Sequence, residues 1–524
     1  MKKEKIGIIA SLLFTLIFVL LVFTIANIDP MNTQWVTEGG GDYLQHYLGW
    51  RFFRESPWTR HFLFMQNWNY PVGTSVIVTD SNPLFCLFFK LFAKILPDTF
   101  QFNGIWILSS FLLNALFASL ILTQITHNPW AVFAGSVIAV LNPVVLQRAL
   151  IHDTLTAHWL ILFAVYLFIN EEKRWNVPCW FVLCGLTMLV HIYFLPMVLF
   201  VLALQLIRML TLKRPFRNLA AVCIAALLSI CGCYVLLGYQ YILPQTGSYG
   251  ELSMNLNAFI NPDGASSLLQ DRPALPLQYE GFNYPGLGLI ALILAAAVIG
   301  RRDFFCRALP YLIPCLLLIG LAASNQAYFD RTEVYSFALP ETIYQTLSIF
   351  RSSGRLVWPL YYLALFYTVW ILSEKSQTRG RLFIALLAVC ALLQAVDLKD
   401  FIYDAGVRFR NPGNPAAELP AEVISAIPDG TEHVYLSCSD SKIKDAFALY
   451  AADHHLTMNQ NTSARGIKRI FGRDPVYMDD LPCAALETDA VYLYYQNPVP
   501  EETASCPGYT AETISSDWVL LKGK

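Results

Sequence analysis

The sequence predicts an α-helical polytopic membrane protein with interfacial helices on its outer side and a small C-terminal α/β domain. Three observations carry this. Of 524 residues, 56% are hydrophobic and only 14% charged, which excludes a soluble enzyme of this length. Apolar runs of roughly 15–24 residues recur between short polar loops, the length of a bilayer-spanning helix. From about residue 410 the composition becomes that of a soluble domain.

The first run, residues 6–27, follows Met1-Lys-Lys-Glu-Lys5. Its apolar part exceeds the roughly 7–15 residues of a signal-peptide core, and no small-x-small cleavage site follows. It reads as a retained first span with a cytoplasmic N-terminus. Further spans are predicted at 104–126, 130–148, 154–170, 177–191, 193–212, 219–242, 286–300, 308–324, 356–373 and 382–396, about eleven in all. The cytoplasmic loops are then 171–174, 213–217, 301–307 and 373–381, and each carries Lys or Arg, as the positive-inside rule expects. The run 84–96 is too short to cross comfortably and carries Lys90 and Lys94 at i, i+4, so it is predicted as an outer interfacial helix.

This topology divides the chain into a membrane domain, 1–396, and an extracytoplasmic linker and α/β domain, 397–524. The outer segments are the long first loop 28–103, the turn 149–153, the loops 243–285 and 325–355, and everything after 397. The loop 243–285 is rich in Pro, Gly and Asn, as in Asn261-Pro-Asp-Gly264, and is predicted irregular. In the tail, β-rich runs such as His433-Val-Tyr-Leu-Ser437 and Asp489-Ala-Val-Tyr-Leu-Tyr-Tyr495 alternate with helical stretches such as 441–452. Most of the twelve cysteines lie in apolar runs. Cys438, Cys483 and Cys506 lie in the tail, where an oxidising compartment would let one pair form a disulfide and leave one thiol.

A formal net charge of −2 gives no draw toward nucleic acid. The chain carries no internal repeat, P-loop, dinucleotide fingerprint or Zn-type CxxC pair. Its chemistry is better sought just past the first span, in Glu38-Gly-Gly-Gly-Asp42-Tyr-Leu-Gln-His46-Tyr-Leu-Gly-Trp50-Arg-Phe-Phe-Arg54. Wound as a helix, it places Asp42, Gln45, His46 and Gly49 on one face. The remaining aromatic and aliphatic side chains predict a helix lying in the interface, its greasy side in lipid headgroups and its polar strip toward the protein. Asp42 also suits the N-cap of that helix, a role compatible with chemistry.

Other outer segments add polar groups: Thr79-Asp80-Ser81-Asn82-Pro83; Gln147, Arg148, His152, Asp153 and His158; His191; and Arg351-Ser-Ser-Gly-Arg355. Each has a plainer reading. Asp80 can cap, His152 and Asp153 can close a turn, a lone histidine on an apolar helix is usually a satisfied core group, and Arg351 and Arg355 can snorkel. Their arrival at one face of the membrane from independent segments favours function, because ionisable groups near lipid are costly. The set suits transfer from a polyprenyl-phosphate donor. Asp42 would act as general base, and Arg351 and Arg355 would receive the leaving phosphate. Asp42, Asp80 and Asp153 are the candidates for a divalent metal, Asp80 or Asp153 alternatively orienting the acceptor, and Gln45, His46, Asn82, His152, Asp153 and His158 would contact substrate.

An acid just past the first span, amphipathic helices in a long first outer loop, about a dozen spans and a C-terminal extracytoplasmic domain together resemble the GT-C superfamily of integral membrane glycosyltransferases. Gly41-Asp42-Tyr-Leu-Gln-His46, Pro71-Val-Gly-Thr-Ser75 with Thr79-Asp80-Ser81, and Phe350-Arg351-Ser-Ser-Gly-Arg355 look like an uncharacterised bacterial multipass family grouped with it. The resemblance covers roughly residues 6–396. It implies inverting transfer of a sugar from a polyprenyl-phosphate carrier to a glycan, lipid or protein acceptor at the outer face of a bacterial cytoplasmic membrane, with Mg or Mn as the metal if one is used. Asp42 matches the first-loop acid, and Asp80 is the candidate second acid. Tyr43 follows Asp42, so the adjacent-acid form is absent. The rival readings are a transporter or flippase of a lipid-linked glycan intermediate and a non-catalytic envelope scaffold.

Overall fold

The computed structural model describes residues 2–244, 248–376, 380–413, 417–463 and 465–523. Parts of the predicted loops 243–285 and 373–381 and of the linker therefore lie outside the described residues. The chain forms two compact units. One comprises residues 1–28, 104–233 and 244–410, the other 29–103, 234–243 and 411–524.

The first unit is helical, and each predicted span contains helix, that at 219–242 only as far as Leu236, but among the described residues the predicted eleven spans are not matched by eleven helices of spanning length. Among the described residues, seven helices are long and apolar enough to cross a membrane: Lys5–Val22, Asn103–Ile125, Phe194–Thr211, Phe216–Leu236, Arg302–Ala323, Ser353–Lys375 and Gly380–Asp397. Pro129–Val140 and Pro143–Ile151 form a pair bent by 42°, while Asp153–Ile169, Asn176–Val190 and Leu287–Gly300 are apolar but shorter. The bend falls where Asn142 caps and Pro143 opens the second helix, since proline is preorganised for a first turn but removes a donor. Arg302–Ala323 leaves Leu309, Ile313, Leu316 and Leu317 exposed, an apolar surface suited to lipid. These helices make the chain a multi-pass membrane protein.

Ion pairs group the loops by end. Arg214 bonds Glu171 at 2.8 Å and Glu172 at 3.3 Å, joining 171–174 to 213–217. Lys375 bonds Asp303 and Arg307 bonds Glu374, joining 301–307 to 373–376. At the other end, Tyr193 accepts the Ser352 N–H at 3.0 Å, and the rings of His152 and His191 lie 5.2 Å apart. The short helix Asn176–Val190 thus runs between the two sets of loops. In the long loop before Leu287, the one element beyond turns is a 3-10 segment, Pro276–Gly281, among the described residues, as its Pro and Gly content predicts. Buried Asp397 ties this loop to the last long helix by accepting bonds from Ser266 Oγ, from Tyr284 Oη at 2.8 Å and from Leu287 N–H at 2.9 Å.

In the second unit the tail forms a mixed five-stranded sheet. Its order is Thr457–Met458, His433–Ser437, Ala490–Tyr495, Trp518–Gly523, Tyr509–Thr513. His433–Ser437 runs parallel to both its neighbours, and the other two pairings are antiparallel. The helix Ser441–Asp453 supplies the crossover, as parallel pairing requires. Cys483 and Cys506 form a disulfide and Cys438 is a buried free thiol, which resolves the open pairing.

The first loop joins this sheet unit. Tyr70 N–H donates to Met458 O at 2.8 Å, and Met458 N–H to Asn67 O at 3.0 Å. Two expectations about the loop change. The helix Tyr43–Glu55 packs against Ser441–Asp453 and Pro83–Lys90, with Tyr43, Tyr47, Trp50, Phe52 and Phe53 buried, so its aromatic side is core and not an interfacial surface. The helix predicted at 84–96 is Pro83–Lys90 followed by turns. Lys90 is buried, donating to Phe53 O at 2.7 Å and Ser56 Oγ at 2.9 Å. Burial lowers its pKa to about 8. Phe88, Leu91, Phe92 and Ile95 are exposed there, so an exposed apolar surface of this loop lies within 83–96.

Candidate functional site

In the second unit, two of the predicted polar groups come together. Asp42 occupies the N-cap position of Tyr43–Glu55 but makes no side-chain cap bond, so its half-buried carboxylate is not committed to capping. Gln45 Nε2 donates to Thr79 O at 3.3 Å. Four residues on, a Cβ at Gly49 would lie 2.0 Å from Ser81 Oγ and 2.5 Å from Thr79 Oγ1. Only glycine lets the 79–82 turn seat on the polar face that the i, i+3, i+4, i+7 spacing predicts. The turn is self-braced, with Thr79 Oγ1 and Ser81 Oγ 2.8 Å apart.

Asp80 is not the cap of the next helix. Asn82 is, accepting Phe85 N–H at 3.3 Å, while its Nδ2 is buried without a partner among the described residues. Asp80 and Asn82 both have positive φ, 55° each. Such strain in non-glycine residues concentrates at functional sites.

The first unit gathers the rest around two arginines. Arg148 Nη1 and Arg355 Nη2 reach the same oxygen of Glu280, at 2.8 and 2.7 Å. All three residues are buried, and Arg148 Nε has no partner among the described residues. Burial alone would raise the Glu280 pKa, but Arg355 and then Arg148 hold it at about 2. Two forked guanidiniums therefore face one carboxylate. Glycine again permits the geometry, since a Cβ at Gly354 would lie 2.5 Å from Gly281 Cα. Asn283 Nδ2 pins that approach, donating to Gly281 O at 2.8 Å and Gly354 O at 2.9 Å. Arg351 lies half-buried one turn before Arg355.

The histidines and Asp153 divide by role. Asp153 Oδ1 accepts Thr154 N–H at 2.8 Å, the turn-closing role. His158 is fully buried in the bundle, with Nδ1 3.0 Å from Tyr362 Oη and its ring stacked on Trp358 at 4.7 Å, which makes it a core group. For a cation, ligand atoms of Asp42 and His46 lie within 4.8 Å of one another, as do those of His152 and His191 in the other unit. A further group, Glu432, His433 and Asp489, lies at the rim of the tail sheet.

Sequence reasoning missed Glu280. A counter-acid for two buried arginines was to be expected from the outer loops. The loops 243–285 and 325–355 alone hold seven acids, Glu251, Asp263, Asp271, Glu280, Asp330, Glu333 and Glu341, and no periodicity marks one of them.

No curated protein matches the chain. Among solved structures, the crystal structure of the Archaeoglobus fulgidus oligosaccharyltransferase in the apo form is similar at a TM-score of 0.44 and 13% identity. The match covers 87% of this chain and 64% of that one, so the chain spans less than two thirds of that protein's length. The model of a domain of unknown function, DUF6311, matches residues 12–399, well over half the length, and the chain belongs to that family.

Proposed function

We propose that this protein is a membrane glycosyltransferase that moves a sugar from a polyprenyl-phosphate carrier to a cell-envelope glycan, lipid or protein. The chemistry lies on the outer side of a bacterial cytoplasmic membrane, with the N-terminus inside and the tail domain outside. The observation that carries the reading is the buried pair Arg148 and Arg355 meeting at Glu280. Forked guanidiniums in a water-poor site are suited to the charge that grows on a departing phosphate. Arg351 is the third cation of that set.

Asp42 takes the proton from the acceptor hydroxyl. The acceptor oxygen forms its bond to the sugar's anomeric carbon, and the bond from that carbon to the phosphate oxygen breaks. The electron pair leaves with the phosphate, and the anomeric configuration inverts. Gln45, Asn82 and Asp80 orient the acceptor around the 79–82 turn. Asp42 with His46, and His152 with His191, are the residues suited to a divalent ion, which would supply further charge neutralisation at phosphate.

The test is a transfer assay on reconstituted full-length protein with a panel of radiolabelled polyprenyl-phosphate sugars, run beside Asp42→Asn and with or without a chelator. Turnover that falls by several orders of magnitude in the variant, with donor binding retained, supports the reading. A lipid-linked sugar that crosses the bilayer while no donor is consumed overturns it in favour of a flippase. Transfer unchanged in the variant removes Asp42 from the mechanism.

A further inference from the structure

The loop that delivers Glu280 also encloses a cavity of about 200 Å3, lined by residues that include Asn257, Asn261, Asp263, Gln278, Tyr279 and Phe282. This is below the roughly 300–1,000 Å3 of pockets for drug-sized ligands and suits one small ring. The lining is neutral amides, one carboxylate, two aromatic rings and small or aliphatic residues such as Ala258 and Leu275, with no Lys or Arg. That excludes an anion as occupant. A phosphate would be drawn instead to Arg148 and Arg355, which meet at Glu280 two residues beyond Gln278.

The amides are built into the wall by part of their hydrogen-bonding capacity only. Asn255 Nδ2 donates to Gln278 Oε1 at 2.8 Å and to Asp330 O at 2.8 Å. Asn257 Nδ2 donates to Asp330 Oδ1 at 2.7 Å and Pro273 O at 2.9 Å, and Arg272 clamps Asp330 from outside at 2.6 Å. Asn261 Oδ1 accepts Arg272 N–H at 2.8 Å, and Gln278 Oε1 also accepts Leu275 N–H at 3.2 Å. What remains is one amide acceptor, two amide donor groups and a carboxylate. Among the described residues Asn257 Oδ1 is buried without a partner and Asn261 Nδ2 and Gln278 Nε2 donate to no group, and the Asp263 carboxylate stands on a left-handed turn at φ 45°. A buried unpaired amide oxygen is costly, and in a cavity it marks a position where a ligand donor belongs.

We infer that this cavity binds one neutral hexopyranose ring, the sugar of the donor or the first residue of the acceptor. Vicinal hydroxyls each donate and accept, so they match mixed amide and carboxylate partners, and Tyr279 and Phe282 offer apolar faces to the ring C–H groups. The inference rests on the glycosyltransferase reading for which substrate carries the ring. Gln278 and Glu280 lie on one 3-10 turn, Pro276–Gly281, which places this cavity beside the arginine pair that would receive the phosphate.

The test is saturation-transfer NMR on the full chain in nanodiscs with free glucose, galactose, mannose and N-acetylglucosamine. At least one is expected to bind. Asp263→Asn, tolerated at positive φ, and Gln278→Glu, which keeps both accepted bonds and removes the donor, should each weaken it about tenfold or more. No binding of any of the four to the wild type, or unchanged binding in both folded variants, overturns the inference. Saccharide binding without transfer from any donor would keep the cavity and sink the enzymatic reading. Transfer that is unchanged in both variants, with no saccharide binding, would do the reverse.

Discussion

Replacing Glu280 with glutamine tests the arginine pair directly. The carboxylate is buried, which by itself raises its pKa, yet Arg355 and Arg148 hold it at about 2 against an ordinary 4.5. At ~1.4 kcal/mol per tenfold, this depression contributes roughly 3 kcal/mol of stability. Removing one partner of a buried ion pair costs about 3–5 kcal/mol, so the two routes agree. Because the folded pKa lies below the unfolded one, the contribution is complete above pH 4.5 and is lost as pH falls through 2. Glu280→Gln is therefore predicted to melt on the order of 5 °C lower at pH 7. The gap should close as the wild type is acidified. Tryptophan-fluorescence melts of both proteins in detergent, at a series of pH values, measure this. No gap at pH 7 would refute the ion-pair account, and a gap of equal size at the acid limit would place the defect in packing and not in charge.

Gly49→Ala should destabilise the chain by about 1–3 kcal/mol through overpacking, although alanine is the better helix former by about 1 kcal/mol. The new Cβ meets Ser81 Oγ and Thr79 Oγ1, so loss of transfer alongside a lower melting midpoint is expected. A more stable variant would mean that the turn does not seat on this face. Cys483→Ser opens a loop of 23 residues and should cost the tail domain about 3 kcal/mol, seen as faster limited proteolysis within 411–524 under non-reducing conditions. Identical cleavage rates would show that the bridge adds no stability.

The apolar helices were legible because length and hydropathy in a bilayer are set by one local variable, and each predicted segment contains helix. The polar face of Tyr43–Glu55 was legible for a similar reason, since four residues at helical spacing declare a face whatever surrounds them. Its surroundings were not. Aromatic residues beside a membrane span fit lipid headgroups and a protein core equally well, and one of the elements that cover this helix, Ser441–Asp453, comes from more than 350 residues away, as Arg51 bonding Asp453 at 2.9 Å illustrates.

Glu280 escaped for a related cause. Its meaning lies in two arginines, one 132 and one 75 residues distant, and a carboxylate in an irregular loop carries no pattern of its own. The glycines show where such information is stored. In sequence Gly49 marks only a position on the polar face and Gly354 only a place within a motif, yet each is the space into which another segment fits. A missing side chain has no chemistry to recognise until its neighbour is in place. Motifs that name an acid or an arginine therefore identify half of a contact. The other half, here the 79–82 turn and the Gly281 backbone, is specified by what is absent opposite it.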